Sequence, residues 1–370
     1  SPTINTIISN NNCHRNFVFT FAKIHPITLL NKKMSLREKK INSLIKLGNW
    51  FSEKESNITY KNLQIKSENK NGWFTKWNVD SAAINWGEAL VEEDIKKWTG
   101  NYSIVEKSKK IALILAGNIP FVGLHDLLCI WFLGHKALVK LSTKDTYLLP
   151  YAIHFLENEC PETRGLISFT EKKFQSFDAA IATGSDNSAR YFNYYFSNVP
   201  NIIRKNKTGV AIINGTESSK DLESLGYDIL CHYGLGCRNI SKIFVPKNYD
   251  LNNIFGGLYS FSHVLESSKY ANNYDYNKAV YLMSEFKFLD NGFFLLKYDS
   301  EFKAPLSSAH ITEYGSQKEL DDTLFNNRDQ IQCVVSKKNK AGEFNFGNSQ
   351  KPKLVDYADG INTLSFLSNL

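Results

Sequence analysis

The chain has 370 residues, 42% of them hydrophobic and 13% aromatic, with six cysteines and a formal net charge of +7 from 44 Lys+Arg against 37 Asp+Glu. At roughly 100–200 residues per domain that length predicts two domains, and the composition excludes a disordered chain, a low-complexity or collagen-like chain and a disulfide scaffold. The basic excess is spread along the sequence with no Lys/Arg cluster, so no nucleic-acid interface is expected.

Residues 1–33 are rich in Asn, Ile and Thr and carry no sustained period. They are expected to be an extension foreign to the folded protein, which then begins at Met34. A targeting peptide is the rival reading, but the apolar run Phe17–Ala22 is short and no small-residue cleavage site follows it. Ser35 and Glu38 form a capping box, and Ile41, Leu44 and Ile45 give the apolar face of a helix that Gly48 is expected to stop.

From residue 109 the pattern changes. The run 109–117 predicts a strand buried on both faces, 124–134 a helix ending at Gly134, and 135–142 a second strand. Strand, helix and strand in about thirty residues predict a βαβ unit with parallel pairing. Asn118, Pro120, His125 and Asp126 inside 111–134 exclude a membrane span. The alternation continues with helices over 145–158, 186–196 and 217–231. Strands are predicted over 165–169, 177–183, 210–214, 239–246 and 330–336, and RKNK at 204–207 reads as a basic turn. Beyond residue 250 the periods are weak.

The cysteines, at 13, 129, 160, 231, 237 and 333, have no metal-ligand spacing, so no metal site is expected. The thiols are expected to be free in a reducing compartment, the cytoplasm. Cys129, Cys160 and Cys231 read as packing residues, His125 as a satisfied core histidine, and His232 as an ordinary histidine at a helix end or a proton donor.

Three segments carry chemistry. In YGLGCRNISKIFVP (233–246), Cys237 lies between glycines and Arg238, on a turn that leads directly into a strand. Glycines there permit positive φ and close approach, and Arg238 and Lys242 are expected to favour the thiolate. A buried structural cysteine beside a glycine turn fits these residues equally well. In AGNIPFVG (116–123), Asn118 follows the first strand, where sheet ligands bind; it reads as an oxyanion donor or as a simple turn residue. VKLSTKD (139–145) and ATGSDNSA (182–189) each follow a strand, and Gly184-Ser185 opening a helix reads as a phosphate-facing turn, although Lys-Leu-Ser and Gly-Ser at strand ends are common. The chain has neither a GxGxxG nor a Walker A sequence.

In this order the segments, with QKPKLVDYADG near the C-terminus, resemble the aldehyde dehydrogenase superfamily, and more closely the acyl-CoA reductases of the bacterial luminescence (LuxC) family. The resemblance runs from about Ser35 to the end. It implies a two-domain α/β fold: a Rossmann-type cofactor domain over 34–205 with 345–370 returning to it, and an α/β catalytic domain over 206–344. It implies that Cys237 takes the acyl group as a thioester and that Asn118 and the Cys237 backbone N–H form the oxyanion hole. Lys140, Ser142 and Thr143 would contact the adenosine side of the cofactor, and Gly184 and Ser185 its pyrophosphate. The implied reaction is reduction of a fatty acyl-CoA to the aldehyde, in a homo-oligomer, with an acyl-protein synthetase or acyltransferase subunit as partner.

Two departures bear on this. Thr143 stands where NAD-preferring relatives carry a glutamate for the ribose hydroxyls, so NADPH is favoured over NADH. The stretch 202–213 has no carboxylate to match the water-activating glutamate of oxidising members, so the acyl-enzyme is expected to survive for hydride. A thioesterase or acyltransferase using the same acyl-cysteine, and a non-catalytic complex subunit, are the alternatives.

Overall fold

Among the described residues, eleven short strands joined mostly by helices build two sheets, and the linking helices dictate parallel pairing. The computed structural model describes residues 34–53, 57–337, 340 and 342–370; the expectation for 1–33 lies outside the described residues. Residues 35–370 form one unit. The strands are β1 (Lys110–Ile114), β2 (Lys136–Lys140), β3 (Ile167–Phe169), β4 (Ala179–Thr183), β5 (Asn201–Arg204), β6 (Thr208–Ile212), β7 (Ile240–Pro246), β8 (Phe288–Asp290), β9 (Leu295–Tyr298), β10 (Ser308–Tyr314) and β11 (Ile331–Ser336).

The first sheet has the order β3-β2-β1-β4-β5 and is parallel throughout. The chain works outward from β1 to β3, then returns to β4 on the other side of β1. Helices therefore cover both faces, and a crevice opens where β1 and β4 part, beyond their carboxyl ends. The second sheet has the order β11-β6-β7-β10-β9-β8 and is parallel except for the β8–β9 pair. This is the α/β architecture expected, a Rossmann-type sheet followed by a second α/β sheet. Among the described residues no helix is long and apolar enough to cross a membrane.

The helix Leu124–Leu133 is apolar on nearly every side because it is buried on nearly every side, and it ends as expected at Gly134, which adopts φ 89°. Its last turn is closed by Lys40, whose Nζ donates to the carbonyls of Trp131 (2.8 Å) and Phe132 (3.0 Å). Burial lowers that ammonium to a pKa of about 8. The helix Leu36–Ser52 carries the expected capping box, Ser35 N donating to Glu38 Oε2 at 2.7 Å and Glu38 N to Ser35 Oγ at 3.2 Å. It does not stop at Gly48. A Cβ at that position would lie 2.5 Å from Leu90 O, so the glycine serves close packing in mid-helix.

The second correction concerns 201–207. Asn201–Arg204 is strand β5 and Arg204 is buried, so only the remainder of the segment is a basic turn. Arg204 forms a two-pronged ion pair with Asp126 on the helix 124–133, with Nη1 on Oδ2 and Nη2 on Oδ1 at 3.0 Å, and Nη2 also donates to Thr363 Oγ1 at 3.1 Å. Thr363 opens the last helix, whose Leu364 and Leu367 join the core of the first sheet with Leu354 and Tyr357. Three distant segments thus meet at one buried charge pair.

Removing one partner strands the other charge in the interior, at about 3–5 kcal/mol. Asp126→Ala is expected to lose stability of that order in urea unfolding. A loss below about 1 kcal/mol would show that the pair does not organise this junction.

Candidate active site

The turn that carries Cys237 is assembled from the end of the helix Ser219–Leu230 and the start of β7. Between them the backbone makes a left-handed passage. His232, Tyr233 and Gly234 adopt φ 53°, 56° and 79°, a conformation ordinary for glycine and strained for the two side-chain-bearing residues. Gly234 therefore supplies the positive φ expected of the motif. Gly236 supplies the close approach: a Cβ on it would lie 2.8 Å from Asn239 Oδ1 and 3.4 Å from Ile119 Cδ1.

Asn239, buried, fixes this turn. Its Oδ1 accepts from Gly236 N at 2.8 Å. Its Nδ2 is shared among the carbonyls of Asp228 (3.2 Å), Ile229 (3.2 Å) and Cys231 (2.6 Å), which end the preceding helix. Asp228, one turn earlier, accepts from Gly347 N (2.6 Å), Ser349 N (2.9 Å) and Ser349 Oγ (2.8 Å) and so pins the C-terminal segment beside the turn. Neither residue was singled out from sequence. A buried Asn two residues after a candidate nucleophile is the signal that would have found Asn239.

Cys237 is the exposed cysteine among those described; Cys129, Cys160, Cys231 and Cys333 are buried. Burial pushes Cys231 and Cys333 up to about 12, which leaves them inert packing thiols. The thiolate expectation for Cys237 is overturned. The residue is exposed, yet the surrounding protein desolvates its thiol and raises it above its ordinary value, and the Arg238 guanidinium only partly opposes this. Lys242 gives no help. It is buried within β7, donating to Asp299 O (2.5 Å) and Thr312 Oγ1 (2.6 Å).

Asn118 reaches the same turn from the carboxyl end of β1, its Nδ2 donating to Leu235 O at 2.6 Å. Four buried polar atoms around the turn have no hydrogen-bond partner among the described residues: Asn118 Oδ1, His232 Nδ1, Arg238 Nη1 and Gln350 Nε2. Buried polar groups are otherwise almost always paired, so such a cluster marks a place built for something besides stability. His232 N donates to Asn78 Oδ1, and burial holds its ring neutral down to about pH 4. It is therefore no cationic donor at neutral pH.

The remaining sequence candidates lie along the carboxyl edge of the first sheet. Lys140 ends β2 and is exposed; its carbonyl accepts from Leu115 N at 3.1 Å. Ser142 packs under Gly117, where a Cβ would lie 2.5 Å from the serine Cβ, and Thr143 is exposed beside it. Gly184 follows β4, and Ser185 caps the helix Asp186–Tyr195, accepting from Ser188 N at 3.2 Å. Asp145, in the same motif as Lys140, points inward instead. It accepts from Leu148 N at 3.2 Å, and burial raises it to about 6. His125 is the core histidine expected, its Nε2 bonded to Leu354 O at 2.9 Å. A cavity of about 470 Å³ at the opposite edge, lined by Lys109, His135 and Leu367 among others, shares no residue with the cysteine turn.

Similar architectures are found among solved structures. An indole-3-acetaldehyde dehydrogenase from P. syringae, solved with NAD+ and IAA, superposes with a TM-score of 0.59 at 11% identity, covering 84% of this chain and 74% of that one. An aldehyde dehydrogenase from Bacillus cereus in its NAD+ complex gives 0.57 at 12%, covering 82% and 72%. One from Mycobacterium tuberculosis, also with NAD+, gives 0.55 at 12%, covering 82% and 73%. The fold is that of the aldehyde dehydrogenases. No family model and no curated protein matches the sequence. The architecture is thus shared at only 11–12% sequence identity.

Two outcomes follow from this geometry. Asn239→Ala leaves buried carbonyls and the Gly236 N–H unpaired, at about 1–3 kcal/mol for each group lost. It is expected to lower the urea midpoint and to make alkylation of Cys237 heterogeneous; unchanged kinetics would show that the turn holds itself. His232, neutral when folded down to about pH 4 and ordinary near 6.5 when unfolded, costs no stability above pH 6.5. Its penalty grows as pH falls from 6.5 to 4, to about 3 kcal/mol. His232→Asn, which tolerates the left-handed backbone, is expected to lose less stability between pH 7 and 4 than the wild type; parallel curves would refute this.

Proposed function

We propose that the protein reduces a fatty acyl-CoA to the corresponding aldehyde at the expense of NADPH, through an S-acyl intermediate on Cys237. The observation that carries this reading is the exposed cysteine on a strained, glycine-bearing turn, reached by the Asn118 amide from the end of β1. Cys237 attacks the thioester carbonyl and coenzyme A leaves. One Nδ2 hydrogen of Asn118 is engaged by Leu235 O, and its second is free to meet the developing oxyanion alongside the Cys237 N–H. We assign the cofactor to 34–205 with 345–370, and the acyl chemistry to 206–344.

The carboxyl edge of the first sheet fits a phosphorylated dinucleotide. Lys140 offers a cation, Ser142, Thr143 and Ser185 offer hydroxyls, and Gly184 lets the helix 186–195 close on the strand end, where a Cβ would meet Ser188 at 2.8 Å and Phe192 at 2.9 Å. When bound, NADPH supplies the hydride. Positions 140–144 present no carboxylate to repel a 2′-phosphate. The strands and turn over 202–213 likewise present none to activate water, which supports reduction over hydrolysis. The three NAD+-bound aldehyde dehydrogenases of the same fold support a nicotinamide cofactor.

Anaerobic single-turnover mass spectrometry with tetradecanoyl-CoA tests the reading. The expected result is an acyl adduct on Cys237, absent in Cys237→Ala, that leaves as aldehyde only when NADPH is added. An adduct discharged as free acid regardless of NADPH would establish a thioesterase, and no adduct with any chain length would establish a non-catalytic subunit. Thr143→Glu is expected to shift the ratio of kcat/KM for NADPH over NADH by about tenfold toward NADH, a change of ~1.4 kcal/mol; an unmoved ratio would remove Thr143 from the ribose site.

A further inference from the structure

Asn118 is aimed by a single hydrogen bond. Its Nδ2 donates to Leu235 O at 2.6 Å, and its Oδ1 has no partner among the described residues. The direction of its second N–H therefore follows the placement of the Leu235 carbonyl, two residues before Cys237. Asn239 does not set that placement, because it holds Gly236 N and the carbonyls that end the preceding helix.

Leu235 belongs to the other half of the turn. Its N–H donates to His232 O at 3.0 Å, which closes residues 232–235 into one tight turn. His232 opens that turn with a left-handed φ of 53° and is buried, so its own N–H needs an acceptor inside the protein. The acceptor is Asn78 Oδ1, at 3.1 Å, on the helix Lys76–Ala89, 154 residues earlier in the chain.

Asn78 is itself buried and held in place, its Nδ2 donating to Trp73 O at 2.9 Å. The Trp73 ring lies 5.3 Å from that of Tyr233, and the Trp77 ring 6.0 Å from it. Trp73 N donates to Asn71 Oδ1 at 3.2 Å and Phe74 N to Asn71 O at 2.7 Å, while Asn71 Nδ2 reaches Lys144 O at 3.4 Å. By consecutive hydrogen bonds the segment 71–78 thus runs from the loop after β2 to the turn before Cys237.

We infer that Asn78 is a positioning residue for acyl transfer: by holding His232 N it fixes the 232–235 turn, and so aims the Asn118 amide at the developing oxyanion. The assignment rests on the acyl-cysteine reading above. The links from Asn78 to Asn118 are hydrogen bonds of 3.1, 3.0 and 2.6 Å in turn. Oxyanion stabilisation depends on donors fixed in advance, so a small displacement of Leu235 O is enough to weaken it. Withdrawing the acceptor from His232 leaves a buried N–H that regains a partner only by moving, and the Leu235 carbonyl moves with it. Asn239 still holds Gly236, so the thiol keeps its place.

Two reagents separate this role from mere support. Alkylation of Cys237 by iodoacetamide needs no oxyanion donor, whereas acylation by tetradecanoyl-CoA without NADPH does; mass spectrometry of the full chain follows both. In Asn78→Ala acylation is expected to slow by about 10- to 100-fold, with alkylation within about twofold of the wild type. Asn78→Ser withdraws the same acceptor and takes the place of the alanine variant should that one not fold. Asn78→Asp keeps an oxygen for His232 N and is expected to recover part of the acylation rate. Because Asn78 acts through Asn118, the double variant Asn78→Ala with Asn118→Ala is expected to acylate no more slowly than Asn118→Ala alone. Alkylation and acylation that fall together, effects of the two substitutions that multiply, an unchanged acylation rate in Asn78→Ala, or no recovery in Asn78→Asp each overturns the assignment. A wild-type protein that is alkylated at Cys237 but takes no acyl group overturns instead the acyl-cysteine reading, and this assignment falls with it.

Discussion

Asn239 is the constraint on which the site depends. The backbone of the cysteine turn passes through two strained left-handed residues that cost about 1–3 kcal/mol each. Such a turn persists only where its surroundings over-determine it. Tyr233, buried against Trp73, Trp77 and Tyr270, anchors its apolar side, and one amide fixes its polar groups, holding Gly236 with its oxygen and three carbonyls of the preceding helix end with its nitrogen. Cys237 is thereby placed on rigid elements on both sides, the helix 219–230 and β7, while remaining exposed. Rigid support with an open face is what a covalent site needs.

The same logic governs the buried carboxylates. Asp126 is neutralised by Arg204, Asp228 by two backbone N–H groups and a serine hydroxyl, and Asp145 by the first turn of the helix 148–159. The first two join segments distant in sequence, and the third caps a local helix start. Burial raises both Asp145 and Asp228 to about 6, so each charge is held at neutral pH at a cost in stability. What that cost secures is geometry. Asp228 and the Asp126–Arg204 pair both bind the returning C-terminal segment, and they place it against the cysteine turn and the first sheet respectively.

The strands through residue 246 were legible because they are short apolar runs bounded by Gly, Pro and Asn, and the helix 124–133 because its ends are a glycine turn and a glycine cap. β5 was not. Its four residues, Asn201–Arg204, end in an arginine, and an arginine reads as surface until the distant Asp126 that neutralises it is known. Gly48 misled for the complementary reason: the Leu90 backbone that demands a glycine there comes from a later helix. Beyond residue 250, the helix Ser268–Met283 carries tyrosines and asparagines on its buried face, so its period is blurred. At the site, Cys237 and Asn118 stand out because thiol and amide sit on glycine-bearing turns. Asn239 and Asp228 do not, since an ordinary polar residue becomes a hub only through the carbonyls and N–H groups that folding brings to it.

Electrostatics show how far local sequence can mislead about mechanism. Arg238 and Lys242 flank Cys237 in sequence and suggest a ready thiolate. In three dimensions the Lys242 ammonium is buried and taken up by Asp299 O and Thr312 Oγ1, and desolvation of the Cys237 thiol outweighs the single guanidinium. The stretch 202–213 lacks a carboxylate, and a sequence comparison would leave the site without one. What does reach the turn from elsewhere is the C-terminal segment, Arg238 Nη2 donating to Asp356 O at 3.3 Å, and the chain delivers that segment only after completing the second sheet. The chemistry of such a site is set by what converges on the sulfur, and convergence is a property of the fold.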